Sequence, residues 1–338
     1  MEGTNTRNSA LDCAKGVAII LVCLGHILQA TTCDYYDSPI YNVIYAVQMP
    51  VFFLISGILS TNKIETFEQL SKKVCKRAQV YLIPFVSRIF VFNTIFSIKP
   101  GTFFEKISGI VFSIDSGLWF LWVLFILCIN CDIAVFITKS IRNKKNKFVL
   151  QSGIYFALLF PWAIGLFVFK TNYLGAKLII YYSLFYFLGR VLNDLSNIRW
   201  LKDKRIKELG LAISFCIGLY ITSHHRLLID IDSIEIIILR VLSGISLSFV
   251  FLHFINRYTD QLSKIGLNTL GKYTLEIYYV HGLAVSLLAG ERLPKCYSLE
   301  GTMTVLASII LTIVITYVVI VCIKSNRVLN FIFFGKIK

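Results

Sequence analysis

The sequence predicts an all-α integral membrane protein, a polytopic helical bundle of about ten transmembrane helices with both termini on the cytoplasmic side. Three observations predict it. Apolar residues make up 56% of the 338-residue chain and the mean hydropathy is +0.71, where soluble domains hold about 45–50% apolar residues. Ten mostly apolar stretches of about 17–25 residues recur, each long enough to cross roughly 30 Å of hydrocarbon as a helix. The loops between them alternate in charge, as the positive-inside rule requires.

The stretches run, in order, over 14–31, 40–60, 78–98, 117–138, 148–169, 174–192, 207–223, 234–254, 268–289 and 303–324. With the N-terminus inside, the cytoplasmic side collects Arg7 and Lys15, the loop Lys63 to Arg77, the run KSIRNKKNK at 139–147, Arg190 to Lys207, Arg257 to Lys272 and the tail from Lys324. Twenty-five of the 34 basic residues fall there and seven on the other side, with Arg88 and Arg240 inside spans three and eight. The longest outer loops, 99–116 and 224–233, are too short to bury a core. The expected organisation is therefore one integral membrane domain over 1–338 with no separate soluble domain. No internal repeat stands out, so nothing favours a transporter built from inverted halves.

The net charge of +15 does not point to nucleic acid, because its carriers are short loops where topology and anionic headgroups account for it. The residues after the first span, LQATTCDYY, lack a small-x-small cleavage site, and Thr31 and Thr32 spoil a lipoprotein reading of Cys33. Most of the nine cysteines sit in spans as small apolar residues. Cys128 and Cys131 form CINC without a second ligand pair, so no metal is expected. Cys33 and Cys296 both fall on the outer side, where a bridge could form in an oxidising compartment.

Ionisable side chains inside spans cost about 2.5–3.5 kcal/mol each on insertion scales, so each calls for a partner, a cavity or a function. They are Lys15 and His26 in span one, Arg88 in span three, Arg240 and His253 in span eight, and Glu276 and His281 in span nine. Lys15 and His26 are eleven residues apart, close to three helical turns, so one face carries both about 16 Å apart. Alone, Lys15 reads as a snorkelling anchor. His26 is harder to read that way, since Ser or Thr would join two helices at less cost. A neutral imidazole can take a proton from a hydroxyl and return one to a leaving group. Asp12 reaches Lys15 at i,i+3, either orienting the cation or capping the helix.

LDCAKGVAIILVCLGH at 11–26 resembles the first span of the acyltransferase 3 family, which carries an arginine, ten residues and a histidine. Lys15 takes the arginine position and His26 the histidine. MPVFFLISGIL at 49–59, LWFLWVLF at 118–125, YFLGR at 186–190 and GKYTLEIYYVHG at 271–282 are similar to later family motifs, in family order over nearly the whole chain. The resemblance implies transfer of an acyl group, most often acetyl from acetyl-CoA, to a sugar hydroxyl of a surface polysaccharide, lipopolysaccharide or lipid-linked glycan. It implies no bound cofactor, a bacterial inner membrane, and as partners only the acyl donor, the acceptor and membrane lipids. It makes His26, His281 and Glu276 the catalytic candidates. Lys15, Asp12 and the basic cluster before span three, including Lys73 and Arg77, become the donor-binding candidates. Lysine in place of arginine keeps the charge but loses a bidentate grip on phosphate.

Glu276 and His281 are five residues apart, about 140° around a helix, and do not share a face. A buried Glu276 paired with Arg88 or Arg240 would hold helices together instead. Trp119 and Trp122 read as an interfacial belt, HHRLLIDID at 224–232 as a solvated outer loop, and Ser56–Gly57 as a site of close helix approach. Two other classes stay in view. A transporter or flippase for a glycan or its lipid-linked precursor would use the same intramembrane charges to line a path. A structural or sensory protein would tolerate apolar residues at 26 and 281.

Overall fold

The structure is a computed structural model and describes residues 8–60, 63–95, 118–195, 204–227, 233–288, 290 and 293–337. Among these all regular secondary structure is helical. In chain order the helices are α1 (Ser9–Thr31), α2 (Pro39–Ile58), α3 (Phe67–Arg77), α4 (Ile83–Ile95), α5 (Trp119–Ile137), α6 (Lys144–Ala157), α7 (Phe160–Phe167), α8 (Ala176–Leu195), α9 (Lys204–His224), α10 (Ile234–Arg257), α11 (Thr259–Lys264), α12 (Leu267–Leu270), α13 (Thr274–Ser286), α14 (Leu299–Ser325) and α15 (Arg327–Phe334). Among the described residues seven stretches are long and apolar enough to cross a bilayer: Ser9–Thr31, Pro39–Ile58, Trp119–Ile137, Lys144–Phe167, Tyr173–Asn193, Ile234–Arg257 and Leu299–Ser325. The chain is an all-α membrane protein. The expected third span runs past residue 95 beyond the described residues, and 99–116 and 228–232 of the outer loops lie outside them too.

Burial on α14 runs opposite to that of a soluble helix. Ser308, Thr312 and Thr316, at successive i,i+4 positions, are buried, while Ile310, Ile313, Val314 and Tyr317 are exposed. Only a solvent as apolar as the helix surface makes that arrangement stable.

Four expected elements differ in detail. The loop Lys63 to Arg77 contains a helix, α3, started by a capping box in which the Thr66 hydroxyl accepts from Gln69 N–H and the Gln69 side chain accepts from the Thr66 backbone. Between α3 and α4 the ladder widens to a π turn over Ala78–Leu82, with Ile83 N–H reaching the Ala78 carbonyl. Pro84 explains this, because proline has no N–H to donate and crowds the carbonyl four residues back. The stretch 148–169 is broken after α6, where Pro161 enters the first turn of α7. The ninth stretch is likewise two pieces, α12 and α13, joined at Gly271–Tyr273.

The chain forms two compact units. The first comprises Met1–Ile55 and Asp194–Cys322, the second Ser56–Asn193 and Ile323–Lys338. In the first unit α1 starts at Asn8, whose side chain accepts from Ala10 and Leu11 N–H. The cap is thus Asn8, and Asp12 is left to meet Lys15. Next to Lys15, Gly16 lies against the Leu267 carbonyl of α12, and Gly271 lies against the Asp12 carbonyl of α1. A Cβ on either glycine would overlap those backbone atoms. The glycines of two separate sequence motifs are therefore two halves of one backbone crossing, and it fixes where α13 enters beside α1. Replacing Gly271 by alanine should cost about 1–3 kcal/mol through overpacking, read as a lower melting temperature of the purified protein in detergent.

At one end of this unit, Cys33 N–H donates to the Pro294 carbonyl and Cys296 N–H donates to Asp34. The two segments lie side by side, and both cysteines are free thiols, with no bridge between them. Burial, and then the Asp34 carboxylate, push the Cys296 thiol up. His224 bonds back to Ser223 and the Tyr220 carbonyl, and Arg226 pairs with Asp37.

In the second unit Gly57 backs onto the Tyr186 carbonyl and the Arg190 N–H, the close approach expected at Ser56–Gly57. Arg190 is buried and donates to Gln151, Ser60 and the Cys131 sulfur. Trp119 stacks on Tyr182, and Trp122 donates to the Leu174 carbonyl while stacking on Phe85. Both indoles are half-buried, each with one side packed on protein.

Candidate active site

In the first unit the structure brings His26 of α1 and His281 of α13 together, with ring centroids 5.3 Å apart and planes tilted by 38°. His281 is buried, and Tyr278 lies 5.7 Å from its ring. His26 is exposed, although Gly25, Ile27 and Leu28 around it are buried. Gly25 lets α2 come close: a Cβ there would stand 3.0 Å from Gln48 Oε1. That Oε1 is buried and has no hydrogen-bond partner among the described residues.

The hydrogen bonds place a proton on Nδ1 of each ring. His281 Nδ1 lies 3.0 Å from the Ile277 carbonyl, which can only accept, so Nδ1 carries a proton. His26 Nδ1 lies 2.9 Å from Gln29 Oε1, and the Gln29 amide donates through Nε2 to the Tyr41 hydroxyl at 2.6 Å. Gln29 presents its oxygen to His26 and its nitrogen to Tyr41, and in this arrangement His26 donates from Nδ1. The basic atom of His26 is then Nε2. Tyr41 stacks on Tyr45 at 6.0 Å, and Arg240, buried on α10, donates to the Tyr45 hydroxyl at 2.6 Å with its charge over the ring.

Lys15 and His26 share one face of α1, as expected, but that face is not an open groove. Between them Ala18, Ile19 and Val22 are 0–1% exposed, so packed side chains fill it. Lys15 itself is partly exposed and lies 3.4 Å from the buried Asp12 carboxylate. Glu276 is buried on the first turn of α13, five residues before His281.

Lys73 and Arg77 belong to the second unit, where both converge on Asp132 of α5. Lys73 Nζ is 2.9 Å from Oδ1, and Arg77 Nη2 is 3.2 Å from Oδ1 and 3.1 Å from Oδ2. Asp132 is fully buried. The sequence reading missed Asp132 and Gln29. Each carried a signal: an acid inside span 117–138, and an amide at i+3 from His26 on the same helical face.

Fold and site together define an integral membrane protein with a pair of imidazoles held between two of its helices. The chain belongs to the acyltransferase 3 family. The family model, described as an acyltransferase domain, matches residues 8–323. Nodulation protein NolL of Mesorhizobium japonicum is 32% identical over 134 residues, 37% of this chain and 35% of that protein. Nodulation protein NolL of Sinorhizobium fredii is 36% identical over 131 residues, 36% of this chain and 34% of that protein. The matches thus span about a third of these relatives' length. No solved structure matches.

Proposed function

We propose that the protein transfers an acyl group, acetyl in the first instance, from acyl-CoA to a hydroxyl of a cell-surface or lipid-linked glycan at a bacterial inner membrane. The observation that carries this reading is His26: an imidazole inside a helix, with Nδ1–H tied to Gln29 and Nε2 available as a base, in a chain of the acyltransferase 3 family. In the reaction, Nε2 takes the proton of the acceptor hydroxyl as its oxygen bonds to the thioester carbonyl carbon. The carbon–sulfur bond then breaks, and the leaving thiolate recovers the proton from the imidazolium. A transient acyl group on Nε2 would split the same transfer into two steps. His281, 5.3 Å away, is a second group able to share that proton, and the buried Glu276 on the same helix sets the field around it.

Lys15, oriented by Asp12, is the cation assigned to the donor's phosphates. Within the second unit, taken by itself, Lys73 and Arg77 are cations able to bind an anionic donor, with Asp132 keeping both side chains drawn in. Delivery of the thioester along α1 then requires Ala18, Ile19 and Val22 to part. The test is reconstitution of the full chain in vesicles with labelled acetyl-CoA and a glycan acceptor. Label in ester linkage on the acceptor is the expected result. Acceptor crossing the vesicle without consuming donor would instead establish a transporter or flippase.

A further inference from the structure

Gln29 stands outside the family motifs quoted above, yet it makes the hydrogen bond that His26 Nδ1 depends on. An imidazole in water favours the proton on Nε2, the atom that a general base must keep unprotonated. Something must hold it on Nδ1. The Gln29 amide could do so only if its oxygen faces the ring, and an unrestrained amide can present either end. In the structure the oxygen faces the ring, 2.9 Å from His26 Nδ1, and the amide nitrogen meets the Tyr41 hydroxyl at 2.6 Å. The Tyr41 ring is itself fixed, being 1% exposed and packed edge-on against Tyr35 at 5.0 Å and face-on against Tyr45. The contacts run from a packed aromatic cluster to a hydroxyl, to an amide, to a ring nitrogen.

We infer that Gln29 is a positioning residue, held in place beside Tyr41, that keeps His26 as the Nδ1–H tautomer and so leaves Nε2 ready for a substrate proton. This rests on the reading of His26 as the base, but its first measurement does not. Full-length protein labelled with ¹⁵N-histidine has only five histidines, and a His26→Asn sample identifies the His26 signals by their loss. At a pH about two units above the ordinary histidine value of ~6.5, the ¹⁵N shifts should show His26 protonated on Nδ1. Gln29→Leu should move that proton to Nε2, and Gln29→Glu, which still offers an acceptor oxygen, should leave it on Nδ1. Tyr41→Phe should give a mixture.

In turnover with labelled acetyl-CoA, Gln29→Leu should lower kcat about 10²-fold, as loss of general-base function does. KM for the donor should be unchanged, and Gln29→Glu should restore much of the rate. A wild-type His26 protonated on Nε2, or a tautomer that ignores Gln29→Leu, overturns the inference whatever the activity. A tautomer that moves while turnover stays constant supports the positioning and overturns the base role of His26.

Discussion

His26→Ala should lower acyl transfer by about 10²–10⁴-fold, the range of one positioned general base, while the protein folds and melts as the wild type does. The first half follows from the proposed role of Nε2 as acceptor of the substrate proton, and at 1.36 kcal/mol per tenfold it corresponds to about 2.7–5.4 kcal/mol of barrier. The second half follows from the exposure of His26, whose only hydrogen bond shown is to Gln29 and whose ring contact is to His281. Removal therefore opens no core cavity and strands no buried charge. Initial rates with labelled acetyl-CoA, beside melting curves in the same detergent, check both halves. Equal ester formation by variant and wild type would defeat the assignment of His26.

The largest stability effect is expected at Asp132. It is fully buried, and two cations on α3 converge on it at 2.9–3.2 Å. Removing one partner of a buried ion pair costs about 3–5 kcal/mol, because the remaining charge has lost its compensation. Lys73, with 27% of its side chain exposed, can turn toward water; Arg77, at 16%, has less room to do so. The Asp132→Ala loss should thus fall near the lower figure and belong mainly to Arg77. Asp132→Asn, which keeps an acceptor, should lose less. Adding Arg77→Met to Asp132→Ala should recover part of the loss, and a double-mutant cycle on melting curves measures the coupling.

How much of this was legible depended on whether the deciding interaction was local. The first helix could be read closely, since its apolar run and the Lys15–His26 interval both follow from helical period, and α1 spans Ser9–Thr31 against the expected 14–31. The pairing of His26 with His281 was reachable only through motif resemblance, because 255 residues separate them and no periodicity crosses that gap. Helix α3 was hidden by its charge: Lys72, Lys73, Lys76 and Arg77 made the segment look like a loop, although the Thr66–Gln69 box marked its start. The backbone crossing at Gly16 and Gly271 was likewise invisible, for each glycine alone looks like a flexible joint. Its meaning lies in the carbonyl that the other helix places against it. The closed face between Lys15 and His26 could not be foreseen, because helical spacing fixes direction and says nothing of what fills the space.

That closed face also bears on the membrane as an electrical barrier. An enzyme that admits water-soluble reactants from either side of a bilayer risks becoming a proton leak, driven by about 2.3 kcal/mol per charge for each 100 mV. Conduction along α1 would need an unbroken file of water from the ammonium of Lys15 to the ring of His26. Ala18, Ile19 and Val22, packed to 0–1% exposure, leave no width for one. Three methyl-bearing side chains thus act as an insulator between a fixed cation and a titratable ring on a single helix.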